Sequence, residues 1–208
     1  MKLGMLCYHK NAQKLYPKRW LDQYKESVLN QTYKDFQIIE ANYGGTDFRI
    51  FENSEFDNVP TDNFVQTLNR LLDKCFFEEG YDFVFNSNAD DWMAPKRIEM
   101  QLPYLESGYD IVSSNFCLVK DNVIVRWHKF HELDIAQQLA NNHNVVCHPG
   151  VAYSRRFWEF HRYIPEQMPL EDLMLWQRAI KNCRFIILEE NLLFHRLHNQ
   201  SVCQSENR

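Results

Sequence analysis

A polar segment that ends on two acidic side chains follows a short apolar segment near the middle of this 208-residue chain. The apolar residues 83–85 lead into a polar segment that ends on two adjacent carboxylates, Asp90 and Asp91, and Pro95 follows. This order predicts a buried strand, an acidic loop and the start of a helix. Open α/β sheets bind ligands at the carboxyl ends of their strands, and grouped carboxylates suit Mg²⁺ or Mn²⁺. An acidic turn that only ends the strand and caps the helix is an equal alternative on these residues alone.

The elements that must position this loop follow from the spacing of apolar residues. An apolar run over residues 3–8 predicts the first strand, and apolar residues three to four positions apart predict a helix over 17–29. Residues 36–41 predict a second strand, which leads into a glycine-containing loop at 42–47. Strand, helix and strand in this order are typical of a βαβ unit and predict a parallel sheet.

The rest of the chain is less regular. We predict a helix capped by Thr61 or Asp62, and residues 50–51 could form a short strand before it. The other predicted elements are a strand at 81–86, a helix at 95–105, a hairpin of strands at 110–119 and 123–127, a helix at 132–141, a strand-like segment at 145–153, a helix at 171–181, and a strand at 185–188 that residues 192–198 follow. We therefore predict one α/β domain over residues 1–208, with a nucleotide-binding half at 1–92 and an acceptor-binding half at 93–208.

Composition excludes several classes of protein. The net charge is −5 and there is no basic tail, so general nucleic-acid binding is not expected. The six cysteines are dispersed without a C-x-x-C pair, which argues against a disulfide scaffold or a structural zinc site. No apolar run approaches the roughly 20 residues that span a bilayer. We therefore expect a cytoplasmic protein without a membrane span.

Several short phrases of the chain are informative in their order and spacing. They are Leu6-Cys-Tyr-His-Lys-Asn11, Ser27 to Phe36, Ala41-Asn42-Tyr43-Gly44-Gly45-Thr46-Asp47, Asn69-Arg70, Asn88-Ala89-Asp90-Asp91, Glu171-Asp172-Leu-Met-Leu-Trp176 and Arg196-Leu-His198-Asn-Gln-Ser201. Together they resemble the family 2 glycosyltransferases over residues 3–201. The resemblance implies a single GT-A (Rossmann-like) domain, with a mostly parallel central sheet, helices on both faces and a small antiparallel hairpin. It also implies a metal-dependent, inverting transfer of a sugar from a nucleotide-sugar to an acceptor hydroxyl.

The resemblance assigns a metal site to the acidic loop. Asp90 matches the last acid of the family's Asp-x-Asp phrase and would hold Mn²⁺ or Mg²⁺ on the donor diphosphate, where a cation stabilises the charge of the leaving group. His198 is a second candidate ligand or a diphosphate contact, and Asp91 is a third candidate or a helix cap. Asn88 replaces the first acid of the phrase, and its carbonyl oxygen can still accept a hydrogen bond from a ribose hydroxyl.

The resemblance also points to nucleotide contacts. Tyr8 would stack on the base, although a core tyrosine with its hydroxyl at the rim is the alternative. Asn42 stands where the family has an acid that reads the base, and Asn69 and Arg70 would approach the diphosphate. A UDP- or dTDP-sugar is the expected donor.

On the acceptor side, Asp172 would be the general base that takes the proton of the attacking hydroxyl, with Glu171 beside it. The alternative is structural, because acids are also favoured in the first turn of a helix. His148 and Trp176 would line the acceptor pocket, and the acceptor would be a glycan, a lipid-linked or another hydroxyl compound. A catalytically silent nucleotide- or glycan-binding module with the same fold is the alternative function, which the missing acids at 41, 42 and 88 favour. A glycoside hydrolase with paired carboxylates fits the βαβ start poorly.

Overall fold

The computed structural model describes residues 1–61, 63–131 and 133–198. Nine strands are assigned within these residues: β1 Leu3–His9, β2 Gln37–Asn42, β3 Glu55–Asp57, β4 Phe83–Phe85, β5 Trp92–Met93, β6 Ile111–Lys120, β7 Val123–His128, β8 Ala152–Ser154 and β9 Phe185–Arg196. The α-helices in the same part of the chain are α1 Ala12–Leu15, α2 Lys18–Leu29, α3 Phe64–Asp73, α4 Arg97–Glu106, α5 Ile135–Ala140, α6 Arg155–Phe160 and α7 Glu171–Ala179. None of them is both long and apolar enough to cross a membrane.

The strands form one mixed sheet in the order β3-β2-β1-β4-β8-β6-β9-β5, and β7 pairs with the outer part of β6. The first four strands in this order are parallel, as the βαβ pattern predicts. β8 lies antiparallel between β4 and β6, and β9 runs parallel to β6. The carboxyl ends of β1, β2 and β4 therefore meet at one edge of the sheet.

Helices cover both faces of this sheet. Every residue of β1 is buried, which is typical of a central parallel strand covered on both sides. Alternate residues of β1 enter two separate apolar clusters, one built with α3 and α7 and the other with α2 and α4. The predicted α/β fold of the GT-A type is thereby confirmed.

Several local predictions need correction. Asn63, rather than Thr61, caps α3, because its side chain accepts from the N–H of Val65; Asp62 lies outside the described residues. Residues 50–51 are not a strand, since their N–H groups donate to the buried carboxylate of Glu40 instead of to a neighbouring strand. The predicted strand at 185–188 and the segment after it form one strand, β9. β3, β5, α1 and α6 were not predicted.

Candidate active site

The loop after β4 is held against the end of β1. Tyr8 and Asn88 form a parallel bridge beyond the regular ladder. The hydroxyl of Ser87 donates to the carbonyl oxygen of Leu6 at 2.5 Å. The hydroxyl of Tyr24 lies 2.6 Å from Oγ of Ser87. These contacts fix the acidic loop at the carboxyl edge of the sheet, where the sequence predicts it.

Asp90 and His198 come together at this edge, 108 residues apart in the sequence. Nε2 of His198 lies 2.9 Å from Oδ2 of Asp90, and the carboxylate fixes this nitrogen as the donor. The imidazole ring packs against Tyr16 and Trp20, with ring centroids 5.6 and 5.2 Å away. The side chain of Asp90 is 14% exposed and that of His198 is 9% exposed, so the pair is largely buried but not closed off from solvent.

Arg196 holds the acidic loop in place through backbone and side-chain contacts with Asp90 and Asp91. Its backbone N–H donates to Oδ1 of Asp91 at 2.8 Å, and its Nε donates to the carbonyl oxygen of Asp90 at 3.0 Å. The guanidinium lies between the rings of Trp20 and Trp92, 4.6 and 4.7 Å from their centroids. Contacts with two aromatic faces and a backbone carbonyl hold the loop in one conformation.

Asp91 takes part in the contacts that hold the acidic loop in place. It is 1% exposed, and its Oδ2 lies 3.1 Å from Nδ1 of His195. Burial raises the pKa of Asp91, the charge of His195 opposes that rise, and the charge of Asp90 adds to it. A role of Asp91 as a metal ligand, as the sequence suggests, would require it to give up both contacts.

Three tyrosines lie within electrostatic reach of Asp90. Burial raises the pKa of Tyr8, Tyr16 and Tyr43, and the negative charge of Asp90 raises each of them further. The pKa of Tyr43 reaches about 12. Tyr8 and Asp90, both predicted donor-site residues, are therefore neighbours. Tyr16 and Tyr43 join them without having been predicted.

Asn42 is buried, and its side chain folds the loop that follows β2. Its Oδ1 accepts from the N–H groups of Asn11 and Gly44 at 3.0 Å each, and its Nδ2 donates to Thr46 and to the carbonyl oxygen of Phe48. The predicted contact of Asn42 with the base would therefore break bonds that build the loop.

Asn69 and Arg70 lie on α3 and make structural contacts. Asn69 donates from Nδ2 to the carbonyl oxygen of Tyr163 at 2.9 Å and accepts from the N–H of the same residue at 3.2 Å. Arg70 pairs with Asp57 of β3 at 2.8 Å. Their predicted contacts with a diphosphate are not seen in these bonds and stay predictions.

The proposed acceptor-side acid, Asp172, lies in the first turn of α7. Its Oδ2 accepts from Nδ2 of Asn144 at 2.8 Å, and its Oδ1 accepts from the N–H of Leu173 at 2.7 Å. The neighbouring acid, Glu171, is buried at 7% exposure. Asp172 is thus the partly exposed member of the pair, as a base that meets a substrate must be.

Aromatic rings line the inner side of Asp172. Burial lowers the pKa of His148, and the charge of Asp172 partly opposes that change. The His148 ring packs against Tyr163 and Trp176, with centroids 5.5 and 6.5 Å away. The same charge raises the pKa values of Tyr153 and Tyr163, after the larger effect of burial. Both predicted acceptor-side residues, His148 and Trp176, therefore lie in the cluster beside Asp172.

The donor and acceptor sides are connected. In addition to burial, the charge of Asp90 raises the pKa of Tyr8, and the charge of Asp172 raises the pKa of Tyr163. Tyr8 itself also raises the pKa of Tyr163. Asn86, which follows β4, donates from Nδ2 to the carbonyl oxygen of His148 at 2.9 Å. The segment after β4, which leads to Asp90, thus contacts the aromatic cluster beside Asp172 through Asn86 and His148.

The residues around Asp90 fit a cation that also binds a substrate phosphate. Within the described ranges, no three His, Cys, Asp or Glu side chains are grouped so that they could hold a metal ion. Asp90 and His198 each offer a side-chain atom that could bind a metal ion. Oδ1 of Asn88 is buried without a hydrogen-bond partner among the described residues. Mg²⁺ is commonly held by one or two carboxylates plus substrate phosphates rather than by an all-protein cage.

Sequence reasoning missed several residues of the site. Tyr16 and Trp20 flank Pro17 at the start of α2, and their four-residue spacing is the one signal that they share a face. Asn86 and Asn144 lie in loops, where no periodic pattern marks them. Ser201, the last residue of the closing phrase, lies outside the described residues.

Proteins of related sequence are named as glycosyltransferases. WbnJ, an O-antigen biosynthesis glycosyltransferase of Escherichia coli, is 27% identical over 202 residues, which cover 90% of this chain and 78% of WbnJ. MJ1057 of Methanocaldococcus jannaschii, named an uncharacterized glycosyltransferase, is 26% identical over 203 residues, which cover 88% of this chain and 68% of MJ1057. No family model matches the chain.

The fold is similar to that of S. aureus TarS. The TarS 1-349 structure in complex with UDP-GlcNAc has a TM-score of 0.72 and 13% identity, and the match covers 99% of this chain and 61% of that one. The complex with UDP gives a TM-score of 0.71 at 13% identity. This chain thus spans about three fifths of the TarS chain. At this identity the likeness concerns the fold alone.

The sequence relatives and the fold together make the chain a glycosyltransferase of the GT-A type. The resemblance in the sequence phrases is confirmed at this level.

Proposed function

We propose that this chain transfers a sugar from a nucleotide-sugar donor to an acceptor hydroxyl, with a divalent cation at the donor and inversion at the anomeric carbon. The observation that carries the proposal is the contact between Asp90 and His198 at the carboxyl edge of the sheet. It is supported by the charges of Asp90 and Asp172, which add to the effect of burial in raising the pKa values of Tyr8 and Tyr163, respectively, and by Tyr8, which also raises the pKa of Tyr163. TarS, which has a similar fold, binds UDP and UDP-GlcNAc. A UDP-sugar is therefore the first donor to test, and a dTDP-sugar is the second.

The donor side would bind the diphosphate next to Asp90. Mn²⁺ or Mg²⁺ held there would neutralise the charge that develops on the leaving nucleoside diphosphate. Asp90, His198 and the Oδ1 of Asn88 would hold this ion. The contacts of Arg196 with Asp90 and Asp91 keep the loop in place.

The acceptor side would supply the base. Asp172 takes the proton of the acceptor hydroxyl as its oxygen attacks the anomeric carbon, and the bond from that carbon to the diphosphate breaks. A base on the face opposite the leaving group gives inversion. His148 and Trp176 exclude water from the inner wall, because both rings are packed in the tyrosine cluster.

The test is nucleotide release from a panel of UDP- and dTDP-sugars in the presence of Mn²⁺, with simple sugars and water as acceptors. We expect Asp172→Asn to lose turnover by a factor of about 100 or more, within the range that general acid–base catalysis contributes, while UDP affinity is retained. Asp90→Asn should weaken Mn²⁺-dependent UDP binding. Asp35→Asn, a change of the same kind at an exposed site, is the matched control.

A silent binding module is the second candidate. It is favoured by Asn88 and Asn42, which stand where family 2 glycosyltransferases have acids. It is also favoured by the Asn42 side chain, whose hydrogen bonds are all made to other parts of the protein. Binding of UDP without turnover of any donor by the wild-type protein would support this candidate and refute the transferase. The acceptor class and the cytoplasmic location stay predictions.

A further inference from the structure

A polar loop between α5 and β8 is tied to α7 beside Asp172. Gln177 of α7 donates from Nε2 to the carbonyl oxygen of Leu139 at 2.7 Å and to Oδ1 of Asn142 at 3.0 Å. Asn142 has a φ of 60°, in the left-handed region that asparagine tolerates better than most residues. The loop therefore turns sharply after α5 and returns along the first turns of α7.

This turn presents the amide of Asn144 to the proposed base. Nδ2 of Asn144 donates to Oδ2 of Asp172 at 2.8 Å, while Oδ1 of Asn144 accepts from the N–H of Val146 at 3.3 Å. The second bond assigns the orientation of the amide, because only the NH₂ group can then face the carboxylate. Asn144 is exposed, whereas Tyr153 and Tyr163, whose pKa values burial and the charge of Asp172 raise, are buried.

From this geometry we infer that Asn144 is a positioning residue that aims the carboxylate of Asp172 at the acceptor hydroxyl. The inference rests on the proposed function of Asp172. A carboxylate has about four lone-pair positions; Leu173 and Asn144 occupy one on each oxygen. Donors on both oxygens fix the rotation of the carboxylate plane, and the remaining positions stay available for the proton of the acceptor.

Holding a base in one orientation contributes to catalysis because a small misplacement of reacting atoms is costly. An amide is suited to this role. It donates a hydrogen bond to the carboxylate without adding a positive charge that would compete with the acceptor proton. The bond also joins the loop to α7, and the two contacts of Gln177 hold the same loop to the same helix.

The first test needs no substrate. In ¹H–¹⁵N spectra of the whole chain, the hydrogen-bonded side-chain proton of Asn144 should shift upfield in Asp172→Ala, whereas the side-chain amide of Asn141 should not move. Asn141 is exposed and lies in the same loop. An Asn144 amide that is unaffected by Asp172→Ala would overturn the inference.

The second test is kinetic and uses the donor that the wild-type protein turns over. Asn144→Ala should lower kcat about tenfold, the effect of losing one hydrogen bond to a charged group, with unchanged UDP affinity and melting temperature. Asn144→Gln, which keeps the N–H donor, should recover part of kcat. Asn144→Asp should be at least as impaired as Asn144→Ala, because an oxygen would face the carboxylate. Asn141→Ala is the matched control and should leave kcat unchanged.

The two proposals fail in different ways. If Asp172→Asn retains turnover, or if no donor is turned over by the wild-type protein, the proposed function fails and this inference fails with it. If Asp172→Asn is inactive while Asn144→Ala has the kcat of the wild-type protein, only the positioning role is refuted. Equal losses of kcat, UDP affinity and melting temperature in Asn144→Ala would also refute it, because they would indicate a structural residue.

Discussion

Glu40 is the residue whose replacement gives the sharpest prediction about the fold. It lies on β2 with no exposed surface, and its carboxylate accepts four hydrogen bonds. Oε1 accepts from the N–H of Ile50 at 2.5 Å and from Nε2 of His9 at 3.0 Å. Oε2 accepts from the N–H of Phe51 at 3.0 Å and from the hydroxyl of Ser54 at 2.8 Å. Glu40 therefore joins the end of β1 to the loop before β3.

The tautomer of His9, the residue of β1 that contacts Oε1 of Glu40, is fixed by a second hydrogen bond. Nδ1 of His9 accepts from the N–H of Ala12 at 3.4 Å, so the proton lies on Nε2 and this nitrogen donates to Glu40. In Glu40→Gln, an NH₂ group takes the place of one carboxylate oxygen. Whichever oxygen it replaces, it faces groups that donate hydrogen bonds to Glu40. Its better orientation is toward Ser54, whose hydroxyl can accept, but the N–H of Phe51 is then left buried without an acceptor. One buried unsatisfied donor costs about 1–3 kcal/mol, and we expect Glu40→Gln to lower the free energy of unfolding by about 2 kcal/mol.

The assay is urea denaturation followed by fluorescence, which suits a chain with five tryptophans. Glu52→Gln is the matched control, because Glu52 is an exposed glutamate in the same loop, and it should change the free energy of unfolding by less than about 0.5 kcal/mol. If Glu40→Gln is as stable as the control, the four hydrogen bonds are not made as described and the reasoning is refuted.

Three further changes test other parts of the molecule. Asn63→Ala removes the cap of α3 and should lower the free energy of unfolding by about 1 kcal/mol in urea melts; an unchanged midpoint would contradict the cap. Trp20→Ala removes one of the rings on Arg196 and should cost about 1–2 kcal/mol, with Trp20→Phe in between; equal melts for the two variants would contradict the stacking. Burial lowers the pKa of His148 below 6.5, so the unfolded chain binds more protons and stability should fall as the pH decreases below about 6.5. His148→Phe should reduce the loss of melting temperature between about pH 7.5 and 5.5, whereas an unchanged slope would contradict this assignment.

The parts of the fold that depend on local periodicity could be predicted from the sequence. The buried strand before Asp90, the βαβ start and the hairpin of β6 and β7 all leave a clear pattern of apolar residues. β9 was predicted as two segments because Glu189 and Glu190 interrupt the apolar pattern. In the structure they are exposed within one continuous strand, and a register shift near Asn115 accommodates the irregularity.

The contacts that complete the site depend on the tertiary structure and leave no such pattern. The acid at position 90 was found because it follows a strand, whereas its partner His198 was found only through a family phrase. The bond from Asn144 to Asp172 joins a polar loop to a helix 28 residues away, and nothing in the local sequence marks it. Asn42 was correctly placed at the end of β2, but its side chain is used within the loop, which only the fold reveals.

The central claim of the proposed function is that the donor binds at Asp90 and that Asp172 deprotonates the acceptor hydroxyl that attacks this donor from the side opposite the diphosphate. A crystal structure of the Asp172→Asn variant with UDP-GlcNAc and Mn²⁺ tests it most directly. We expect the cation on Asp90 and His198, the diphosphate on the cation, and the side chain at position 172 facing the anomeric carbon from the side opposite the diphosphate. A nucleotide bound away from Asp90, or a sugar whose anomeric carbon faces away from position 172, would contradict the claim.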